Sequence, residues 1–287
     1  IYLTDKNYVH KVLWIESYGI GQILSEIVHP SSLHHPGIIK YHDVYIDDET
    51  CTLVMDKFDG DMKGEKVQNR HVFKSIAFQL INILAYITSR NIIHLDIKPD
   101  NIFHNKCDNG EYKIVLGDFG SSEGRECFID LTHNEVYTIQ YRPPEILLEA
   151  SKYTSKADVW ALGCTLYEIY TGQELFYLED EDDEDEDDED ELVEHIQKIF
   201  DKVGDIQPDS KLYQKFKSYR DNVQHSTEII PGHFVDDPML NDLLIRMLNP
   251  DPELRESIFT LQYHPYFDKS ILDAPIGGSF ASFDDVS

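Results

Sequence analysis

Asp96, Lys98 and Asn101 fall within a six-residue window of the stretch Asn91–Phe103, N-I-I-H-L-D-I-K-P-D-N-I-F. An acid, a cation and an amide at this spacing suit proton handling beside a phosphate and a metal. Asp96 can accept a hydroxyl proton, Lys98 can neutralise phosphate charge, and Asn101 can offer a hard oxygen to Mg²⁺. The apolar pairs Ile92–Ile93 and Ile102–Phe103 allow both flanks of the loop to be buried, and Pro99 stiffens it. A second acid, Asp118, follows seventeen residues beyond Asn101, in Asp118-Phe119-Gly120 after the apolar run Ile114–Leu116. Singly, such residues occur on any surface loop; their order sets them apart.

Several elements must hold these groups. Val72–Ser89 reads as an amphipathic helix, with Phe73, Ile76, Ala77, Leu80, Leu84 and Ile87 on the face that delivers the chain into the loop. His104–Glu111 reads as a polar hairpin turning at Asp108-Asn109-Gly110, after which Lys113–Leu116 leads into Asp118. Upstream, Tyr8–Trp14 reads as a strand carrying Lys11, which is either a solvated edge lysine or part of a site. Ile20–Val28 has helical spacing and contains Glu26, and Pro30 should end that helix by about His29. Lys40–Tyr45 and Cys51–Lys57 read as two strands of one sheet around the turn Asp47-Asp48-Glu49. Ser155–Thr171 should be a central buried helix, so its Asp158 needs partners. Leu192–Val203, Leu240–Leu248 and Ser257–His264 complete the helices.

The length of 287 residues is ample for a buried core and one or two domains. The longest apolar stretch, Phe73–Ile87, is interrupted by Lys74, Ser75, Gln79 and Asn82, which argues against a membrane span. Cys51, Cys107, Cys127 and Cys164 lack C-x-x-C spacing and fit a reducing, intracellular compartment, cytoplasmic or nuclear. The net charge of −29 argues against direct nucleic-acid binding and favours basic partners. Thirteen of those charges form the run Glu179–Glu191, which leaves −16 elsewhere. Like charges do not pack, so 179–191 reads as a disordered insertion, either a solvated loop or a docking element for basic peptides. Residues 268–287 read as a flexible tail. The chain opens on Ile1, as an excised piece would.

Taken together, the stretch around Asp96 and the Asp118-Phe119-Gly120 turn resemble the catalytic loop and D-F-G turn of eukaryotic protein kinases. Val9-His10-Lys11 resembles the strand lysine segment, and Leu33-His34-His35-Pro36-Gly37-Ile38-Ile39 the H-P-N-I segment that follows the first helix. Tyr141-Arg142-Pro143-Pro144-Glu145 and Leu248-Asn249-Pro250-Asp251-Pro252-Glu253-Leu254-Arg255 resemble the segments whose Glu and Arg pair. The resemblance spans about Tyr8–Phe267 and implies an α+β, bilobal protein-kinase fold. Its small sheet lobe would occupy 1–57, the hinge 58–61 and the larger helical lobe 62–267. It implies ATP and Mg²⁺ as cofactors, with Lys11 fixed by Glu26 on the phosphates and Asn101 and Asp118 on the metal. Asp96, Lys98 and Thr138 would serve catalysis. Met55 would be the gatekeeper, Asp56 and Phe58 would present backbone groups to the base, and Asp61 would sit near the ribose. Asp158 would anchor the catalytic-loop backbone. No glycine precedes Lys11, so the Gly-rich phosphate loop is trimmed or absent.

Lysine two residues after Asp96, with Thr138 seven before Glu145, resembles serine/threonine kinases. The Tyr141-Arg142-Pro143-Pro144-Glu145 ending resembles the group containing the cyclin-dependent, MAP, dual-specificity and SR-protein kinases. Gln140-Tyr141-Arg142 is similar to the SR-protein kinases, while Thr132-His133-Asn134-Glu135-Val136 and Ile146-Leu147-Leu148 resemble cyclin-dependent kinases equally. Leu95 stands where many kinases carry an arginine that meets a phosphate on the activation segment; SR-protein and Clk-type kinases also lack it. Leu95 therefore implies activity that does not depend on that phosphate. Substrates of that branch are Arg/Ser-rich, which fits an acidic enzyme. A pseudokinase or scaffold that binds basic partners is the alternative, and a kinase-fold enzyme acting on a small molecule is a third.

Overall fold

The computed structural model describes residues 2–3, 7–124, 137–148, 153–177, 188–220 and 232–267. A four-stranded antiparallel sheet comes first, built from β1 (Tyr2–Leu3), β2 (Tyr8–Trp14), β3 (Tyr41–Ile46) and β4 (Thr50–Asp56) in the order β1-β2-β4-β3. β2 therefore lies between β1 and β4, although β1 pairs only with Val9 and His10; Lys11 pairs with Leu53 of β4. Asp47 makes the β3–β4 turn by accepting the amides of Glu49 and Thr50. Helix α1 (Ile15–Ser32) packs on this sheet, and Leu13, Ile23, Cys51 and Leu53 form a small separate core.

The expected end of α1 at His29 is wrong. The helix runs through Pro30 to Ser32, although Gly19 (φ 73°, ψ 150°) breaks its first turn. Pro30 lies in the last turn, where it costs the helix one backbone N–H bond but the following residues still close the turn. Ser31 and Ser32 donate their hydroxyls to the carbonyls of Ile27 and His29, and Leu33 N–H closes on Pro30.

The remaining chain is mainly helical. α2 (Arg70–Ser89) starts at Asn69, whose side chain accepts from His71 and Val72 N–H, and it buries nine side chains in the main core. By length and composition it could span a bilayer, but its apolar face is spent on this core. It leads to β6 (Ile92–Ile93) and a 3₁₀ turn at Pro99–Asn101. β7 (Ile102–Lys106) and β8 (Tyr112–Leu116) follow, with β5 (Gly60–Asp61) on the far side of β7 and β9 (Glu123–Gly124) against β6. His104, read as part of a polar turn, is instead buried in β7 at 2% exposure. The turn itself is confined to the residues between the strands.

α3 (Pro144–Leu147), α4 (Lys156–Thr171), α5 (Asp188–Val203), α6 (Tyr213–Arg220), α7 (Pro238–Met247) and α8 (Ile258–Leu261) form the helical body. α4 runs through it with Trp160, Leu162, Leu166 and Ile169 buried. Residues 188–191 of the acidic run form the first turn of α5 rather than a loop. The rest of that run, residues 125–136 of the stretch Gly120–Glu145 that reads as an activation segment, and the tail 268–287 lie outside the described residues. The last predicted helix is shorter than expected: Ser257 caps it at Thr260, and turns follow Leu261.

Candidate active site

Two polar groups meet where the small sheet faces the helical body. In the first, the loop after β6 places the Asp96 carboxylate among three partners. Lys98 Nζ lies 3.0 Å from Oδ2, Asn101 Nδ2 donates to Oδ2 at 2.8 Å, and Thr138 Oγ1 donates to Oδ1 at 3.2 Å. Lys98 also donates to Thr138 Oγ1 at 2.6 Å, which ties the loop to the segment before α3. Burial pushes the Asp96 acid up, but Lys98 and the hydrogen bonds from Lys98 and Asn101 outweigh it and hold the carboxyl below its usual range. Asp96 is therefore an ionised acceptor of low intrinsic basicity.

In the second group, β2 presents Lys11 to two acids. Its Nζ is 2.8 Å from Glu26 Oε1 on α1 and 3.1 Å from Asp118 Oδ1 after β8. Burial opposes the lysine's charge, but the two carboxylates prevail and hold its pKa above the ordinary value. Burial raises the pKa of Glu26, and the Asp118 charge adds to this; Lys11 and its hydrogen bond pull the other way without reversing it. The two anions beside one cation set the direction for Lys11, whereas burial is the larger cause for Glu26. The groups are joined through the backbone, where Gly117 N–H donates to Asn101 O at 3.0 Å. A Cβ on Gly117 would lie 2.7 Å from the Phe103 ring, so glycine is needed just before Asp118.

The backbone carrying these side chains is strained. Leu95 (φ 66°), Asp118 (φ 60°) and Tyr137 (φ 66°) are non-glycine residues in the left-handed region. Each conformation costs roughly 1–3 kcal/mol and persists only where its surroundings enforce it. Asp158, fully buried on α4, supplies much of that enforcement. It accepts His94 N–H at 2.7 Å, Leu95 N–H at 3.0 Å and the Tyr137 hydroxyl at 2.9 Å. The His94 ring stands edge-on to Phe119 at 4.7 Å, and its Nε2 is 3.1 Å from Gly117 O. Leu95 is wholly buried and offers no charge to the segment.

The other predicted residues lie apart from this cluster. Met55 is a core residue at 3% exposure. Asp56 points outward and pairs with His42 at 2.8 Å. Phe58 stacks on Phe103 at 5.2 Å, and Asp61 accepts Lys63 N–H at 3.0 Å. Asp56 and Phe58 line a polar cleft of about 390 Å³ with Asn7, Lys57, Asp59 and Asn105, and neither Lys11 nor Asp118 lines it. Sequence reading missed Tyr41, whose hydroxyl donates to Glu26, and Tyr137. The only signal for either was a buried acid in need of a donor.

Glu145 and Arg255, 110 residues apart, form a buried bidentate pair at 2.7 and 2.8 Å that braces the segment carrying Thr138. The donor set around Asp118 suits a hard divalent cation. The amide nitrogen of Asn101 is committed to Asp96, which leaves its oxygen for a metal, and the Asp118 side chain is 39% exposed. A family model described as "Protein kinase domain" matches residues 3–267, more than nine-tenths of the chain. The protein belongs to the protein kinase domain family.

Proposed function

We propose that the chain is an active serine/threonine kinase that transfers the γ-phosphate of ATP to basic, Arg/Ser-rich protein substrates. The observation that carries this reading is the Lys98 ammonium, held between Asp96 and Thr138 at 3.0 and 2.6 Å. That arrangement suits an acceptor hydroxyl aligned by Asp96 next to a cation ready for the moving phosphoryl group. Asp96 orients the hydroxyl and takes its proton late, as the oxygen attacks, because its depressed pKa makes it a weak base in the ground state. Lys98 neutralises charge on the phosphoryl group in flight. Lys11, fixed by Glu26, holds the α- and β-phosphates. Asn101 and Asp118 would hold Mg²⁺, which when bound offsets charge on the phosphate oxygens. The protein contributes mainly position and charge.

Basic substrates are supported by charge near the loop. Asp100, next to Asn101, shares Lys63 with Glu168 and Glu174 at 3.7, 3.9 and 3.3 Å. These three carboxylates around one lysine, in a protein of net charge −29, favour peptides carrying arginine. The buried Leu95 supports a group assignment near the SR-protein and Clk-type kinases and independence from segment phosphorylation. Cys51, Cys107 and Cys164 are free thiols, which suits an intracellular site. The test is transfer from labelled ATP/Mg²⁺ to an Arg/Ser peptide, to its Tyr-for-Ser version and to an acidic Ser peptide. Label should enter the Arg/Ser peptide on serine, and rising salt should slow it. Equal labelling of the acidic peptide would refute the substrate class, and labelled tyrosine the acceptor class.

A further inference from the structure

Helix α1 is weakly held by apolar packing. Only Ile23, Glu26 and Pro30 are buried along it, while Ile20, Leu24 and Val28 on its outer face are 67, 53 and 54% exposed. Its polar ties must therefore carry much of the load. One of them, His29 Nδ1 to Ser122 Oγ at 2.6 Å, reaches the turn after Asp118. Another runs through Glu26, 1% exposed, whose Oε1 receives both Lys11 Nζ and the Tyr41 hydroxyl. Among the described residues Glu26 Oε2 is buried without a hydrogen-bond partner, so both restraints on the carboxylate act on one oxygen.

Tyr41 is built for this contact. It opens β3 opposite Met55, and the pairing register shifts between Tyr41 and Asp43. Such irregularities re-aim a side chain. Its ring packs against both the small core around Leu13 and Leu53 and the main core. The ring thus serves packing, and the hydroxyl has a separate task. Burial, and then the Glu26 charge, hold the phenol pKa well above its ordinary value, so the group remains a donor.

We infer that Tyr41 is a positioning residue whose hydroxyl fixes the Glu26 carboxylate against Lys11, and so sets the affinity of the site for the ATP phosphates. The inference rests on the kinase reading above. It gives α1 an internal anchor from the sheet, in addition to the segment after Asp118.

The test is Tyr41→Phe, which keeps the ring and removes only the hydroxyl. ATP affinity is measured by calorimetry at fixed Mg²⁺, with steady-state kinetics and thermal melting alongside. Hydrogen bonds to charged groups are strong enough for the variant to weaken ATP binding about tenfold and raise the KM for ATP in step. The kcat at saturating ATP and the KM for peptide should stay within about twofold, and Tm should fall by no more than about 4 °C. In a Glu26→Gln background, Tyr41→Phe should add less than about twofold, because the two residues act as one unit. Equal ATP affinity in wild type and Tyr41→Phe would overturn the inference, as would an undiminished tenfold effect in the Glu26→Gln background. Wild-type protein that binds ATP but transfers no phosphate would count against the kinase reading alone, because the binding arms still decide the role of Tyr41. Wild-type protein that binds no ATP would overturn both.

Discussion

Replacing Glu145 by glutamine should unfold this protein far more readily than its single-atom change suggests. Glu145 and Arg255 are each 1% exposed, and the guanidinium makes four contacts. Two go to the carboxylate at 2.7 and 2.8 Å, one to Asn249 O at 2.9 Å and one to Lys156 O at 2.8 Å. The Trp160 ring covers it at 5.1 Å. Glu145→Gln leaves that cation buried with no counter-charge and turns an amide N–H₂ toward its donors. Breaking a buried pair in this way costs about 3–5 kcal/mol. With a urea slope of about 3 kcal/mol/M, the unfolding midpoint should fall by roughly 1–2 M at unchanged slope. A loss below about 1 kcal/mol, the range of exposed pairs, would refute the reasoning. A second arm separates charge from contact: Glu145→Leu with Arg255→Met should recover only part of the loss. It removes the stranded charge but leaves the carbonyls of Asn249 and Lys156 without their donor.

Asp118→Ala should abolish Mg²⁺-dependent ATP turnover while circular dichroism and Tm remain near wild type; retained turnover would mean that the metal role is misassigned. His195, wholly buried on α5, is held neutral mainly by burial, with its pKa pushed down to about 4 from 6.5. The unfolded chain binds that proton first, so its contribution is complete above pH 6.5 and is lost as pH falls toward 4, by about 3 kcal/mol over the window. Urea midpoints measured from pH 7 to pH 4 should therefore fall less steeply for His195→Gln than for wild type, and parallel curves would contradict this. Thr132 lies in sequence between Asp118 and Glu145, and Leu95 stands where the resemblance expects an arginine for a phosphate on that stretch, so Thr132→Ala should change kinase activity less than about twofold; a large loss restored by Thr132→Glu would overturn that.

Much of the site could be read from the chain because its chemistry is local. Asp96, Lys98 and Asn101 lie on one short loop between buried flanks, and the structure keeps Lys98 and Asn101 within hydrogen-bond reach of Asp96. Lys11, Glu26 and Asp118 also converge, although they come from β2, α1 and the turn after β8. What sequence could not show was the set of restraints acting at a distance. Tyr137 and Leu95 adopt left-handed backbone, and both donate to Asp158, 21 and 63 residues away. Tyr41 looked like an ordinary strand residue because a register shift, invisible in the sequence, turns it toward Glu26. Pro30 misled for a related reason: a helix terminator by local rule is tolerated in a last turn whose carbonyls have serine donors. The acidic run was legible only in part, because its last four residues are helical.

The central claim, phosphate transfer with Asp96 as the acceptor-side acid, is tested most directly in single turnover. Labelled ATP/Mg²⁺ and an Arg/Ser peptide are mixed with excess wild-type protein or with Asp96→Ala. The account predicts serine labelling by wild type and a loss of at least about 100-fold in the variant, with ATP affinity unchanged within about threefold. Folded wild-type protein that binds ATP but labels peptide no faster than Asp96→Ala would contradict it.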